Sequence, residues 1–390
     1  MFRRIDFLLL GIALGLTFFG LAMIASVSVY ESYQLTQRLV SQGIRTEPTN
    51  SFYLWRSFLH VIFGIGALGI GMIVPYRLWS YAARPLFIIT IILLISVLIP
   101  GIGASYGTAR SWILFAGILS FQPSEFLKLT LILYLAVWLQ KREQFVSNLH
   151  EGFVPFAILL MISTGLVAVQ PDLGSFLVLT VIASTMFFVG GGNLFHLILG
   201  GILAATSGLP FILTTPYIRN RFRAFFFPDD PSITETIGFQ IKQALIAIGS
   251  GGLFGAGYGK SVQKFGYLPE VQADTIFAAM AEELGFLRLL IILGMYTIFV
   301  VRGLNIAQTA PDRFGFLVST GITMWVAFQT LLNIAVNLSL FPLTGLTLPF
   351  ISYGGSSLVS LLLAVGILLN ISSYSITETI AARRKRIVGR

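Results

Sequence analysis

Residues 7–29 form one uncharged and mostly apolar run, Phe-Leu-Leu-Leu-Gly-Ile-Ala-Leu-Gly-Leu-Thr-Phe-Phe-Gly-Leu-Ala-Met-Ile-Ala-Ser-Val-Ser-Val. A helix that spans the hydrocarbon core of a bilayer needs about 20 apolar residues, and this run is long enough. The pattern recurs along the chain and predicts an all-α polytopic membrane protein with about ten transmembrane helices. The other runs lie at 54–74, 85–100, 124–140, 152–170, 174–191, 194–214, 276–301, 314–337 and 357–373.

The composition agrees with a chain embedded in lipid. Of 390 residues, 56% are hydrophobic and only 11% are charged, and the mean hydropathy is +0.86. Soluble proteins are about 25% charged, so this chain lacks the polar groups to cover a soluble surface of its size. These values exclude a disordered chain, a fibrous chain, a nucleic-acid-binding domain and most soluble enzymes.

Basic residues predict the orientation of the helices. An even number of helices places both termini on one side, and by the positive-inside rule the basic side is cytoplasmic. The formal net charge of +9 therefore reflects topology and attraction to anionic lipid, and no nucleic-acid partner is expected. Met1-Phe-Arg-Arg leads directly into a full spanning run, so no cleavable signal peptide is predicted. The predicted cytoplasmic set is Arg3, Arg4, Arg77, Arg84, Lys141, Arg142, Arg302, Arg313, Arg383, Arg384, Lys385, Arg386 and Arg390.

The opposite face receives four longer segments, of which 215–275 is much the longest. Within it, residues 236–249 carry apolar side chains at helical spacing and predict an interfacial helix on the membrane. The glycine-dense stretch Gly249–Gly259 indicates either close backbone approach or a flexible loop. The other outer segments are 30–53, 101–122 and 338–355, together with the short turn Gln170-Pro-Asp-Leu-Gly.

Several catalytic chemistries are excluded by residue type. The chain has no cysteine, so disulfides, thiolate nucleophiles and Cys-based metal sites are absent. Its three histidines, His60, His150 and His196, are far apart in sequence and form no HExxH-like pair. We interpret them as interfacial or packing residues.

Charges near membrane depth are costly and point to function. Glu125 and Lys128 in Gln122-Pro-Ser-Glu-Phe-Leu-Lys are three residues apart at a helix start, with Pro123 suited to the first helical position. They form either a structural ion pair or part of a functional site. Asp172 either caps the following helix or belongs to that site.

The densest polar cluster is Tyr267-Leu-Pro-Glu-Val-Gln-Ala-Asp-Thr-Ile-Phe. Glu270 and Asp274 are four residues apart where a loop enters a helix, and a carboxylate there is placed to have a raised pKa and accept a proton. The alternative for Asp274 is a helix N-cap or a solvated loop acid. Glu282 and Glu283 lie deeper and need partners, for which Arg288 is the nearest candidate in the sequence.

The outer face also carries seven cations, against the usual trend. Arginine suits bidentate phosphate recognition, so an outer-leaflet lipid with a phosphate or pyrophosphate head is the expected ligand. Attraction to ordinary anionic headgroups is the alternative. These cations are Arg110, Arg219, Arg221, Arg223, Lys242, Lys260 and Lys264.

The run Pro342-Leu-Thr-Gly-Leu-Thr-Leu-Pro-Phe-Ile-Ser-Tyr-Gly-Gly-Ser-Ser closely resembles the signature of the shape, elongation, division and sporulation (SEDS) family, which includes FtsW and RodA. The resemblance spans essentially the whole chain and is closer to FtsW. Further matching blocks, in order, are Arg110-Ser-Trp, Gln122-Pro-Ser-Glu-Phe-Leu-Lys, Gln170-Pro-Asp-Leu-Gly, Ala247-Ile-Gly-Ser-Gly-Gly-Leu-Phe-Gly, Leu268-Pro-Glu and Glu282-Glu-Leu-Gly.

This resemblance implies a single membrane domain over 1–390. Its ten helices have both termini in the cytoplasm, one large outer loop (about 215–275) between helices 7 and 8, and a basic cytoplasmic tail at 374–390. It implies a peptidoglycan glycosyltransferase in the bacterial cytoplasmic membrane. Such an enzyme polymerises lipid II at the outer leaflet by inverting attack of the acceptor 4-hydroxyl, with loss of undecaprenyl pyrophosphate.

The family's essential aspartate matches Asp274, which is therefore expected to act as general base. Around it the chain departs from the family's His-Thr-Asp-Phe pattern, with Gln272, Ala273 and Thr275 as neighbours. Trp112 is expected either to stack on a sugar or to anchor at the interface. The residues expected to bind substrate are Arg110, Trp112, Lys128, Arg219, Arg221, Lys264 and Glu270. The residues expected to support this site are Glu125, Asp172, Glu282, Glu283, Ser352, Tyr353, Gly354, Gly355 and Ser356.

The resemblance also implies partners. A class B penicillin-binding protein, which is a transpeptidase, is expected, together with other divisome or elongasome membrane proteins. A divalent cation, Mg or Mn, is the one cofactor considered. A lipid II flippase and a noncatalytic scaffold of the cell-wall machinery are the alternative functions, and a role in division is favoured over elongation or sporulation.

Overall fold

The structure is a computed structural model that describes residues 5–101, 103–106, 109–115, 119–227 and 237–388. At 105–106, 109–110, 114–115, 119, 207, 209–213 and 375–388 it describes the backbone alone. The helices are α1 (Phe7–Val27), α2 (Val29–Ser41), α3 (Phe52–Ile73), α4 (Tyr76–Leu98), α5 (Pro123–Lys141), α6 (Val154–Val169), α7 (Leu173–Val189), α8 (Leu194–Thr214), α9 (Pro216–Phe226), α10 (Ile237–Gly251), α11 (Ile276–Gln308), α12 (Arg313–Asn337) and α13 (Gly355–Val388), with one π-helical turn at Leu149–Phe153.

The predicted apolar runs lie on helices, and the chain is a multi-pass membrane protein. Among the described residues, seven helical segments are long and apolar enough to cross a bilayer. α5 falls short because Glu125 and Lys128 lower its hydropathy, and α7 has only 17 residues. The seven segments are Phe7–Val27, Phe52–Ile73, Tyr76–Leu98, Leu149–Val169, Ile276–Gln308, Arg313–Asn337 and Gly355–Tyr374.

Three ion pairs mark one end of the helix bundle. Arg302 near the end of α11 contacts Asp6 just before α1, at 2.6 Å. Arg77 at the start of α4 contacts Asp312 just before α12, at 3.4 Å, and Arg313 contacts Glu143 beyond the end of α5. The basic residues at 77, 302 and 313, which the sequence predicts on one face, therefore do lie together.

The segments predicted as outer loops contain more regular structure than the sequence indicated. The 30–53 segment holds most of α2, and the 215–275 segment holds α9 as well as the predicted helix, α10. The 101–122 segment forms an antiparallel sheet of β1 (Gly103–Tyr106), β2 (Ala109–Phe115) and β3 (Leu119–Phe121), in that order. Backbone groups close to lipid must be hydrogen-bonded within the protein, and helices and strands meet that need.

α10 lies against the first half of α11 through small residues. Its buried face contains Gly238, Ile241, Ala244, Ala247 and Gly251, spaced for one side of a helix. A Cβ added at Gly251 would lie 2.0 Å from the Ala281 carbonyl oxygen, so the backbones nearly touch. This contact holds the long 215–275 segment against the membrane helices.

α11 is interrupted at Gly285, where φ is 76° and ψ is 172°. The loop that follows α10 fills the interruption: the Ala256 amide donates to the Glu282 carbonyl at 2.9 Å, and the Phe286 amide donates to the Gly252 carbonyl at 2.9 Å. A Cβ at Gly255 (φ +76°) would lie 2.4 Å from the Glu283 carbonyl oxygen. The glycine-dense stretch thus serves close backbone approach, one of its two predicted uses.

α3 and α13 pack with their backbones in contact. A Cβ at Gly71 would lie 2.6 Å from the Leu363 carbonyl oxygen, and one at Gly366 would lie 2.3 Å from the Leu68 carbonyl oxygen. Small residues at such crossings allow close van der Waals packing in lipid, where the hydrophobic effect contributes little between helices. The crossing supports α13, whose first residues carry the end of the signature sequence.

We expect Gly71→Ala to destabilise the protein by about 1–3 kcal/mol, because the methyl group would collide with the main chain of α13. Gly69→Ala on the same helix is the matched control, since no atom lies within 4 Å of its added Cβ. Thermal unfolding of the two purified variants in detergent compares them. Equal melting temperatures would contradict the assigned crossing.

Candidate active site

Asp274 lies in a tight turn immediately before α11, whose N-cap is Thr275. The Ala273 amide donates to the Glu270 carbonyl at 2.9 Å, and the Thr275 hydroxyl donates to the Pro269 carbonyl at 2.8 Å. Glu270 has φ +51°, a left-handed conformation that non-glycine residues rarely adopt. Such strain persists only where the surroundings enforce it, and it concentrates at functional sites.

The signature loop 342–355 holds this turn by its main chain. The Tyr353 amide donates to the Gln272 carbonyl at 2.8 Å, and the Ser352 hydroxyl donates to the Ala273 carbonyl at 2.5 Å. The hydroxyl of Ser352 also accepts from the Leu348 amide at 2.8 Å. Because the contacts on the turn use its carbonyl groups, the departures from the family at Gln272 and Ala273 leave this support intact.

Three carboxamides on α12 complete the support. Asn333 and Asn337 each donate from Nδ2 to the Asp274 carbonyl at 2.9 Å, and Gln329 donates from Nε2 to the Thr347 carbonyl at 2.9 Å. The sequence reasoning missed these residues. Their signal was carboxamides spaced four apart on an otherwise apolar helix, which places them on one face.

Glu125 and Lys128 form the predicted pair, with Lys128 Nζ 2.7 Å from Glu125 Oε1. Pro123 is the first residue of α5, as expected. Lys128 Nζ also donates to Gln329 Oε1 at 3.0 Å, which connects the pair to the α12 carboxamides. The Lys128 side chain has no exposed surface, so the expected contact with substrate would require the helices to move.

Asp172 caps α7, accepting at Oδ1 from the Ser175 amide at 2.9 Å. Its Oδ2 accepts from the Ser124 hydroxyl at 3.3 Å and from Gln122 Nε2 at 3.4 Å. The capping interpretation is therefore confirmed, and the same carboxylate also fastens the start of α5. The Gln122 amide in turn donates to the Ser356 hydroxyl at 3.0 Å, which ties α5 to the start of α13.

The expectation that Arg288 would partner Glu282 and Glu283 is wrong. Arg288 Nη1 donates to the Phe254 carbonyl at 2.8 Å, because it lies beyond the interruption at Gly285. Glu283 instead pairs with Lys264 at 3.1 Å.

Both glutamates accept hydrogen bonds from the outer loop. Glu283 accepts from the Ser26 hydroxyl at 2.7 Å and from the Gly259 amide at 3.0 Å, and Glu282 accepts from the Ser261 hydroxyl at 2.5 Å and from the Val262 amide at 2.9 Å. Hydrogen bonds of this kind make a buried ion tolerable. Lys264 is almost fully buried here, so its expected substrate contact would also require a rearrangement.

Electrostatics distinguish Asp274 from the other acids. Burial raises its pKa to about 7, the Glu270 carboxylate adds to the rise, and Arg221 and a hydrogen bond from Gln240 oppose it. Asp274 Oδ1 has no hydrogen-bond partner among the described residues. A carboxylate in this state can take up a proton near neutral pH.

A third acid, Glu31 on α2, extends this group and was also missed. Partial burial raises the pKa of Glu270, and the Glu31 carboxylate raises it further. Burial also raises the pKa of Glu31, against the effect of Arg38. Like charges that share a region disfavour ionisation, so Glu31 acts on Glu270 and Glu270 acts on Asp274. Nothing in the sequence pattern indicated that 31 and 270 are close.

Arg221 is the cation that acts on Asp274. It is fixed in place: its Nη1 donates to the Leu343 carbonyl at 2.8 Å, and its guanidinium lies 4.3 Å from the Tyr217 ring centre. Arg219 on the same helix is exposed. The Arg110 side chain lies outside the described part of the structure, whereas Trp112 pairs with Ala104 between β2 and β1.

The remaining signature residues pack beside the turn. The Tyr353 ring meets Tyr53 edge-on at 4.9 Å and His60 at 5.5 Å. A Cβ at Gly355 would lie 2.6 Å from His60 Nε2, and Gly354 adjoins Thr347. The turn, the signature loop and the start of α3 therefore form one packed unit.

The described residues contain no group of three or more His, Cys, Asp or Glu side chains that could hold a metal ion. The arrangement that they do form is a proton acceptor beside an anchored arginine.

A family of cell cycle proteins described as FtsW, RodA and SpoVE matches residues 6–377 of the chain. Stage V sporulation protein E of Bacillus subtilis is 40% identical, over 95% of this chain and 97% of its own length. A protein of Trichlorobacter lovleyi named probable peptidoglycan glycosyltransferase FtsW is 39% identical, over 94% of this chain and 93% of its own.

Solved structures agree in fold. A chain from a peptidoglycan synthase complex, solved to explain how polymerization and crosslinking are coordinated, has a TM-score of 0.76 and 26% identity, covering 96% of this chain and 99% of its own. The rod shape determining protein RodA of Thermus thermophilus has a TM-score of 0.67 and 27% identity, covering 95% and 97%. A variant of that protein with one aspartate replaced by alanine has a TM-score of 0.68 and 26% identity, covering 95% and 98%.

We expect Arg221→Gln to raise the pKa of Asp274 above about 7, because the substitution removes the positive charge that opposes protonation. Titration of the Asp274 carboxyl by carbon-13 NMR measures this, with the signal assigned by its loss in Asp274→Asn. Arg223→Gln, on the same helix, is the control and should leave the titration unchanged. A pKa that stays constant or falls in Arg221→Gln would refute the electrostatic effect of Arg221 on Asp274.

Proposed function

The chain belongs to the FtsW, RodA and SpoVE family of cell cycle proteins, and on that premise we propose that it is a peptidoglycan glycosyltransferase that polymerises lipid II into glycan strands. The observation that carries the proposal is Asp274, a mostly buried carboxyl with a pKa near 7, whose turn is held by the signature loop. Relatives at 36–39% identity are named probable peptidoglycan glycosyltransferases.

Asp274 acts as general base for the acceptor sugar. Its carboxylate takes the proton of the 4-hydroxyl as that oxygen attacks the donor's anomeric carbon. The bond from this carbon to the diphosphate oxygen breaks, and undecaprenyl pyrophosphate leaves with the electron pair. Attack from the opposite face inverts the anomeric centre, so no covalent enzyme intermediate is needed.

The diphosphate is already a good leaving group, so the protein mainly positions the reactants and neutralises charge. Arg221 is the best-supported residue for that role, because it is anchored beside Asp274 yet keeps partial exposure. Arg219 and Arg110 are proposed to help. A divalent cation, Mg or Mn, would supply further neutralisation of the diphosphate charge.

We place the reaction at the outer leaflet of the bacterial cytoplasmic membrane. The paired residues Arg302 and Asp6 mark the end of the bundle opposite to Asp274, since Asp274 precedes α11 and Arg302 lies near its end. The positive-inside rule makes the end with Arg302 cytoplasmic. Ten spans with both termini in the cytoplasm fit this arrangement.

A class B penicillin-binding protein is the proposed main partner, alongside other divisome or elongasome proteins. The support is the fold shared with a chain of a peptidoglycan synthase complex in which polymerization and crosslinking are coordinated. We propose a role in division, because relatives carry the FtsW name, although the sporulation protein is equally similar. Depletion and microscopy test this: filamentous cells support division, and spherical cells support elongation.

A flippase and a scaffold are the rival functions. A flippase needs a polar path across the bilayer, but the Glu125–Lys128 pair and Asp274 lie at one end of their helices. A scaffold needs no carboxyl with a raised pKa, and the main-chain support of Asp274 survives the changed neighbours. The site favours polymerisation over both.

Asp274→Asn should lower lipid II polymerisation by the purified protein about 10²–10⁴-fold, since the amide cannot accept the proton. The control is Glu151→Gln, a charge removal at an exposed position in the π-helical turn, which should retain full activity. Glycan strands are measured by gel electrophoresis of the products. Polymerisation at the wild-type rate by the Asp274 variant, or none by the wild type, rejects the enzymatic assignment.

The rate should also depend on pH. A general base works only when ionised, so kcat/KM should rise with pH through about 7 and level off above it. Glu270→Gln removes a charge that raises the pKa of Asp274, so the midpoint should move to lower pH. Glu151→Gln should not move it. A midpoint that is unchanged or higher in Glu270→Gln would contradict the coupling of the two acids.

A further inference from the structure

We propose that Asn333 and Asn337 are positioning residues for Asp274, and that the carboxamide face of α12 (Gln329, Asn333 and Asn337) connects Asp274 to the buried Glu125–Lys128 pair. The inference rests on the proposed function, because it concerns the geometry of the same reaction. It assigns a role to residues that do not themselves contact the reacting atoms.

The Asp274 carbonyl oxygen accepts hydrogen bonds from two side chains. Asn333 Nδ2 and Asn337 Nδ2 both lie 2.9 Å from the Asp274 oxygen. The Ala278 amide, which would reach that oxygen if α11 began earlier, donates to the Thr275 carbonyl at 3.1 Å. The two carboxamides therefore replace the helix in fixing the peptide group that carries the Asp274 side chain.

Burying the two asparagine side chains costs desolvation free energy. Asn333 and Asn337 are 1% and 3% exposed, and burial of a carboxamide is unfavourable unless it is hydrogen-bonded. Asn337 Oδ1 has no hydrogen-bond partner among the described residues, which leaves a buried acceptor unsatisfied. A residue that served packing alone would be apolar at this position, so a buried carboxamide here points to the bond with Asp274.

Hydrogen bonds from the carboxamide face of α12 reach both the signature loop and α5. Asn333 Nδ2 also donates to the Leu346 carbonyl at 2.7 Å, and Gln329 Nε2 donates to the Thr347 carbonyl at 2.9 Å. Gln329 Oε1 accepts from Lys128 Nζ at 3.0 Å and from Trp325 Nε1 at 2.7 Å. One helix face thus sets the spacing of the Asp274 turn, the signature loop and the start of α5.

The expected consequence is an effect on the chemical step and not on binding. A base displaced by about 1 Å from the acceptor hydroxyl can lose about 10²-fold in rate. Asn337→Ala and Asn333→Ala should each lower kcat for lipid II polymerisation about 10- to 100-fold, with KM changed by less than about 2-fold. Asn337→Gln keeps an N–H donor and should retain more kcat than the alanine variant.

Thr330→Val is the matched control. Thr330 is buried on the same helix, and its hydroxyl has no hydrogen-bond partner among the described residues. It should keep kcat and KM within about 2-fold of the wild type. Thermal unfolding of each purified variant identifies those that are folded.

The outcomes separate the two proposals. Wild-type kcat in both alanine variants, with Asp274→Asn inactive, overturns the positioning role and leaves the general base in place. A loss in Thr330→Val equal to that in Asn337→Ala also overturns it, because packing alone would then explain the loss. Full activity of Asp274→Asn overturns both proposals. A kcat loss confined to the asparagine variants, with partial rescue by Asn337→Gln, supports the positioning role.

Discussion

A backbone polar group without a hydrogen-bond partner costs several kcal/mol in lipid, and two irregular segments of the described structure meet that constraint. Where α11 is interrupted at Gly285, the loop after α10 enters the gap and bonds the exposed main chain. Where the turn before α11 leaves three successive carbonyl groups free, Tyr353, Ser352 and the two asparagines of α12 take them. The carbonyl groups of Gln272, Ala273 and Asp274 are therefore each bonded to another segment of the chain, which fixes the position of the turn.

Buried charges follow the same rule outside the acidic group of Glu31, Glu270 and Asp274. Lys128 and Glu125 pair with each other, as do Lys264 and Glu283, and each pair gains further hydrogen bonds from neighbouring segments. Such pairs hold elements together at a desolvation cost that the added bonds offset. Asp274 instead is buried, with Glu270 nearby and a single opposing arginine, and burial together with Glu270 raises its pKa to about 7. The site is thus the place where compensation of charge is left incomplete.

Sequence reasoning located the apolar membrane helices, the Glu125–Lys128 pair and Asp274, because each has a local signal: an apolar run, a three-residue spacing, a loop entering a helix. It did not locate α2, α9 or the sheet of β1, β2 and β3. It misassigned the partner of Glu283, choosing Arg288 by sequence distance when the interruption of α11 turns Arg288 away. It also missed Glu31 and the α12 carboxamides. Their importance depends on contacts between segments that are far apart in sequence, which no periodicity within one segment can express.

By itself the sequence determined that this is a membrane protein, that it resembles the SEDS family, and which aspartate matches the family's essential one. Those properties follow from composition, run length and local motifs. Only the tertiary structure decided that Lys264 is an internal counter-ion, that the signature loop supports the Asp274 turn, and that Asn333 and Asn337 share one carbonyl group. These depend on which backbone groups are left unpaired after the helices form, and pairing across the bundle exists only once the chain is folded.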